Sequence, residues 1–193
     1  MKLIKYMAIT FAAAVVASVL ICRKAFAKDF AEVGIAPPYE PAPECEELDL
    51  VMERDLQDHV WKIACGRFPE DRKKTEEYYA ALIGLADGEG EFNPKAYNGK
   101  NNNDSVDRGM WQINSRNLDT LKKEGLINDA EDLYNPVKCA NCADFLYWKH
   151  YRKYGFSRRS YDGYMYNDGK EHDNIYTRRV WKIQQEWNRV LWP

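Results

Sequence analysis

Two carboxyl groups and the short segments around them are where this sequence could do chemistry. Glu89-Gly90-Glu91-Phe92-Asn93-Pro94 sets a glutamate beside an aromatic ring and a turn, and Asp107-Arg108-Gly109-Met110-Trp111-Gln112-Ile113-Asn114 brings a second acid ahead of apolar and amide side chains. A third segment, Tyr166-Asn167-Asp168-Gly169, adds a phenol and an amide. Such residues suit general acid–base catalysis. A carboxylic acid pushed out of water by apolar neighbours keeps its proton near neutral pH and hands it to a leaving oxygen. Cleaving a glycosidic bond requires an acid of that kind, and Phe92, with Met110 or Trp111 across a cleft, would give Glu89 its apolar surroundings. Retaining hydrolysis of that bond also needs a second carboxylate roughly 5 Å away, for which Asp107 is available. None of the three histidines sits in a metal-ligand pattern, so neither a metal nor a cofactor is called for.

Helices must position these groups. Tyr79, Leu82, Ile83 and Ala86 recur at helical spacing, which predicts a helix over about 75–88 that delivers Glu89 at its C-terminal end. The asparagine-rich stretch 98–104 reads as a loop, because Asn and Asp hydrogen-bond their own backbone in turns. A helix over about 115–124 ends at Gly125; Asn135-Pro136 starts another that runs to Gly155, with cap, first-turn proline and terminal glycine in order. The last helix is expected over Ile175 to Leu191, and a short hairpin is expected around 97–113. The paired Arg158-Arg159 and Arg178-Arg179 read as solvated charge rather than as a site, and Gly109 and Gly169 as backbone necessities.

Over 193 residues, 28 Lys and Arg face 30 Asp and Glu, a net charge of −2 that counts against a nucleic-acid partner. With 45% hydrophobic and 13% aromatic residues the chain holds enough apolar material for one packed domain of roughly 150 residues. The N-terminus reads as an address. Lys2 and Lys5 precede an uncharged run from Met7 to Cys22, and Ala25-Phe26-Ala27 offers a small-x-small cleavage site. Residues 1–27 are therefore expected to be a cleaved signal peptide, with an uncleaved membrane anchor as the alternative. Their loss leaves 24 basic and 30 acidic groups, a net charge of −6. Residues 28–44, with Pro37, Pro38, Pro41 and Pro43, read as a linker, and the folded domain is expected over 45–193.

Export leads to a compartment where disulfides persist, and Cys45, Cys65, Cys139 and Cys142 remain as candidates for two bridges. Geometry opposes that count. Leu48, Met52, Leu56, Val60 and Ile63 fall on one helical stripe, and an unbroken helix over 46–64 would span about 28 Å. Bridged Cα atoms lie within about 7 Å, so either that helix breaks or fewer than two bridges form among the four. A four-cysteine zinc site needs the same convergence, and one Cys-x-x-Cys without a second such pair is a weak metal signal.

With its three segments in this order, the sequence resembles the lysozyme-like superfamily, and within it the lytic transglycosylases of the soluble (SLT) type, including small members that accompany secretion systems. The resemblance spans about residues 75–183. It implies a mainly α, α+β lysozyme-like fold with helical lobes around a substrate cleft and at most a small β-hairpin. It makes Glu89, three residues before Phe92, the general acid in preference to Glu91. Gln112 would hydrogen-bond the substrate or that carboxyl, while Tyr166 and Asn167, with Phe92 and Met110, would line the cleft and bind the sugar. The substrate implied is peptidoglycan, cut between N-acetylmuramic acid and N-acetylglucosamine to leave a 1,6-anhydro sugar. The implied setting is the periplasm or outside the cell, as a monomer, with a secretion apparatus as a further partner. Residues Asp107 to Arg116 also resemble a segment of animal lysozymes, so a hydrolytic lysozyme using Glu89 and Asp107 is the alternative. A peptidoglycan-binding module that has lost catalysis is the other. The sequence departs from the family at Gly90, where serine is usual, and the acidic Asp87 and Glu91 nearby are expected to raise the Glu89 pKa.

Overall fold

The computed structural model describes residues 41–101, 104–167, 170 and 172–192. The expected signal peptide over 1–27, the linker up to residue 40, and Asp168 and Gly169 lie outside the described residues. Among the described residues there are seven α-helices and one small sheet. A long central helix, α3 (Arg72–Gly90), starts where the Asp71 carboxylate accepts the Lys74 N–H, and most of its length is buried on all sides. Tyr78, Tyr79, Leu82, Ile83 and Leu85 are each fully covered, so this helix is the core around which the others pack.

The apolar stripe over 46–64 is carried by two helices, α1 (Glu46–Asp49) and α2 (Arg54–Arg67), so the helix breaks, one of the outcomes left open by the cysteine spacing. The apolar stripe keeps its phase across the break, since Leu48, Met52, Leu56 and Val60 are all buried. The Gln57 amide makes the interruption tolerable by donating to the Met52 carbonyl at 2.7 Å and the Asp49 carboxylate at 2.8 Å. Just before Cys45 the chain packs on α2: Ala42 is buried, its N–H donates to Asp58 at 2.9 Å, and Arg54 donates to the carbonyls of Ala42 and Pro43.

A three-stranded antiparallel sheet, β1 (Tyr97–Asn98), β2 (Asp107–Arg108) and β3 (Ile113–Asn114), stands where a hairpin was expected. Tyr97 lies opposite Arg108, and Asn98 opposite Asp107. Beyond it come α4 (Leu118–Lys123), α5 (Pro136–Tyr154), α6 (Arg158–Tyr166) and α7 (Ile175–Leu191). The caps of α5 are those expected: Asn135 accepts the Lys138 N–H, and Gly155 closes the helix. Helix α7 lies directly on α3. A Cβ at Gly84 would stand 2.6 Å from the Gln184 Cα, and this approach lets the buried Gln184 amide donate to the Ala81 carbonyl at 3.0 Å.

Fewer than two bridges form among the four cysteines, the other outcome left open by their spacing. Cys45, Cys139 and Cys142 are buried free thiols, and Cys65 is half-buried on α2. Cys45 lies at the start of α1, while Cys139 and Cys142 share one turn of α5, and burial pushes both of their thiols up to about 12. On the far side of the core the Asp144 carboxylate takes two bonds from Arg67, at 3.0 and 2.6 Å, and one from the Tyr78 hydroxyl at 2.8 Å. Asp144→Ala strands the phenol in the core and leaves a partly exposed guanidinium alone. The expected loss is about 2–3 kcal/mol in a urea titration, with no change in the pH dependence of activity.

Candidate active site

Glu89 lies in the last turn of α3, and the way that helix stops fixes its direction. Glu91 and Phe92 both adopt left-handed backbone, with φ of 50° and 55°. Their N–H groups donate to the carbonyls of Asp87 and Ala86, at 3.0 and 3.2 Å, which turns the chain sharply. Phe92 then drops edge-on onto Trp187 of α7, the ring centres 5.8 Å apart, and the Trp187 indole donates to Asp87 at 2.8 Å. Phe92 thus anchors the turn. Met110 packs against the end of α3. It is buried, and its backbone carries the contact: a Cβ at Gly90 would meet the Met110 carbonyl oxygen at 2.2 Å. Glycine stands at residue 90 because the 109–112 turn packs onto bare backbone there.

Two hydroxyls hold the Glu89 carboxyl. Tyr161 of α6 donates to Oε1 and Tyr176 of α7 to Oε2, each at 2.7 Å. Burial raises the Glu89 pKa to about 7; the two tyrosine bonds oppose that rise and the charge of Asp107 adds to it. The same surroundings drive both phenols well above their ordinary values, so they remain donors. Asp87 and Glu91 are not the source of the shift. The Asp87 carboxylate accepts the Trp187 indole, and Glu91 projects into solvent, 3.9 Å from Arg179.

Asp107 on β2 is enclosed by amides. Its Oδ1 accepts from Asn114 at 2.7 Å, and its Oδ2 accepts from Asn101 at 2.8 Å and Asn98 at 3.3 Å. Asn114 also caps the turn that follows, its side-chain Oδ1 accepting the Arg116 N–H at 3.0 Å. Gln112 has left-handed backbone, φ 47°, and its amide donates to the Gly109 carbonyl at 3.0 Å. It borders a cavity of about 370 Å³ together with Glu89, Glu91, Asn93 and Tyr97.

Tyr166 and Asn167 bond to side chains other than Glu89. The Tyr166 ring stacks on His172, centres 3.8 Å apart, and its hydroxyl accepts from Asn174 at 2.8 Å. Asn167 ends α6 in left-handed backbone and accepts from Lys149 at 3.1 Å. Of the hydroxyls that do hold Glu89, Tyr176 lies on the expected last helix with nothing in its spacing to mark it, and Tyr161 lies on α6, which the sequence does not announce. Its buried positions include Ser160 and Asp162, so no apolar stripe announces it. The available signal was indirect: a buried acid needs donors, and tyrosines crowd the C-terminal third of the chain.

The two phenols can be separated from bulk packing. Tyr161→Phe and Tyr176→Phe each remove a bond that favours the charged carboxylate, so the Glu89 pKa rises further. The falling limb of the kcat/KM profile is expected to move up by about one pH unit in either variant, read from a pH–rate series.

The sequence model of the family described as the transglycosylase SLT domain matches residues 67–187, more than half of the chain. No curated protein and no solved structure matches it.

Proposed function

Because the chain belongs to the transglycosylase SLT domain family, whose members act on peptidoglycan, we propose that it cuts the β-1,4 bond between N-acetylmuramic acid and N-acetylglucosamine without consuming water. Glu89 is the acid and then the base. Its proton passes to the bridging oxygen as the bond to C1 breaks and N-acetylglucosamine leaves. The resulting carboxylate then takes the proton of the muramyl 6-hydroxyl as that oxygen closes onto C1. The product is a 1,6-anhydro sugar, and Glu89 ends protonated, as it began. One observation carries this reading: a carboxyl with a pKa raised to about 7, held by two hydroxyls that favour its ionised form, can serve in both states near neutral pH.

Asp107 supports a second reading, a retaining hydrolase, because its charge is felt at Glu89. Its three amide bonds favour the first instead. Both carboxylate oxygens already have partners, which suits a fixed negative charge facing an oxocarbenium-like C1 better than a nucleophile. The deciding experiment is mass spectrometry of peptidoglycan digested by the purified protein. Anhydro-muropeptides, lighter by one water than hydrolysed ones, are expected. In Asp107→Asn they persist at a rate lower by about tenfold. The falling pH limb moves to lower pH, since a charge that raised the Glu89 pKa is gone. Reducing-end products that vanish in Asp107→Asn would establish the hydrolase, and the absence of any product would leave a binding module.

The setting follows as part of the proposal. The N-terminal segment directs export and is cleaved after Ala27, and the mature monomer works in the periplasm or outside the cell, on the wall or for a secretion apparatus. No helix among the described residues is long and apolar enough to cross a membrane.

A further inference from the structure

Many cations of this acidic protein are matched. Arg67 pairs with Asp144, Lys138 with Asp132, Lys182 with Glu186, and Arg158 and Arg178 share Asp173. The C-terminal end of α5 differs. Lys149, Arg152 and Lys153 follow at three- and four-residue spacing, so they project from one side of the helix, and all three are exposed. Exposed Arg159 from the start of α6 joins them around a shared ring, its guanidinium 4.6 Å and the Lys153 ammonium 4.9 Å from the centre of Tyr154. Among the described residues none of these four is paired with a carboxylate. Their field is felt locally. A hydrogen bond from Lys153, with the Arg159 charge behind it, holds the Tyr154 phenol below its ordinary value. Burial first, then Lys149 and Lys153, depress the His150 imidazole.

We propose that this corner is a second, non-catalytic contact for peptidoglycan, one that binds the carboxylates of its peptide stems. The identity of the polymer rests on the preceding reading. Guanidinium and ammonium groups recognise carboxylates through charge-assisted hydrogen bonds, and a polymer that repeats the carboxylate multiplies a weak contact into retention. With a net charge of −6 after loss of residues 1–27, the protein as a whole repels such a polymer, so attraction must be concentrated at one place, where it also sets orientation. The corner is joined to the site through α6. Lys149 donates to Asn167 at one end of that helix, and Tyr161 in its middle holds Glu89.

The test is co-sedimentation with purified sacculi, using full-length protein carrying Glu89→Gln so that the polymer stays intact. Binding is expected to weaken about tenfold in the triple variant Arg152→Glu, Lys153→Glu, Arg159→Glu. It is also expected to vanish near ~0.5 M salt, and on sacculi whose carboxyls have been converted to amides. Should the charge-reversed variant lose its circular dichroism signature, the triple glutamine variant is read in the same way. Equal sedimentation of variant and parent, or undiminished binding to amidated sacculi, overturns the proposal. So does a loss confined to phosphatidylglycerol vesicles, which would make the ligand a lipid phosphate. Salt-sensitive binding by a protein that releases no muropeptides when Glu89 is intact would sink the catalytic reading and leave this one standing.

Discussion

Glu89→Gln is expected to lower turnover by at least about a thousandfold and, above pH 7, to make the protein more stable. The first effect follows from the chemistry. The amide is nearly isosteric and can keep one tyrosine bond on its carbonyl oxygen, but it has no acidic proton to give and no carboxylate to take one back. The second follows from the pKa. A carboxyl whose folded value is raised, here from 4.5 to about 7, favours folding while it is protonated in both states. That contribution is fully present below about pH 4.5 and is lost as the pH rises through 7, when folding has to carry a buried negative charge. The shift sets the loss at no more than about 3 kcal/mol, and the variant lacks it. The Tm difference between variant and parent is therefore expected to be small at pH 4, to open between 4.5 and 7, and to stay constant above. A variant less stable than its parent at pH 8 would mean that Glu89 is not the strained group described.

Gly90→Ser should cost more than a surface change at a helix end normally does. The resemblance makes serine the usual residue here, yet a Cβ would fall 2.2 Å from the Met110 carbonyl oxygen, and a backbone atom cannot swing aside as a long side chain does. Either α3 retreats or the 109–112 turn does, for an expected loss of about 2–4 kcal/mol in chemical denaturation. Movement of that turn carries Gln112 with it, so activity under fully folded conditions should fall as well. A serine variant as stable as the parent would show that the turn is not packed on residue 90 in the way described.

What was legible in the sequence is what local chemistry encodes. The Asn135 cap, Pro136 and Gly155 mark both ends of α5, and the helical spacing of Tyr79, Leu82, Ile83 and Ala86 marks the helix, α3, that delivers Glu89. The cysteine spacing left room for a break within 46–64 but did not place it, because Leu48, Met52 and Leu56 stay in phase across it, and what permits it is a glutamine amide. Helix α6 escaped because its inward face is polar, and with it went the partner of Glu89 that it carries. The packing partners of the motif side chains were not legible. Phe92 and Met110 build the turn and support Gly90, whereas Tyr166 bonds to its own neighbourhood. A motif preserves positions in a chain, while the role of each side chain depends on which elements meet around it.

Tyr176 reaches Glu89 from the second residue of α7, and α7 covers the side of α3 that holds Gly84. This order along the chain has a meaning for biogenesis. If the polypeptide crosses a membrane N-terminus first, the acid emerges long before its second hydroxyl partner. While residues beyond about 174 are still in transit, one face of the central helix lacks its cover and Glu89 stays in water with an ordinary carboxylate pKa. On the proposed reading, a half-delivered chain would lack the second hydroxyl on its acid and would gain competence only when the final helix docks.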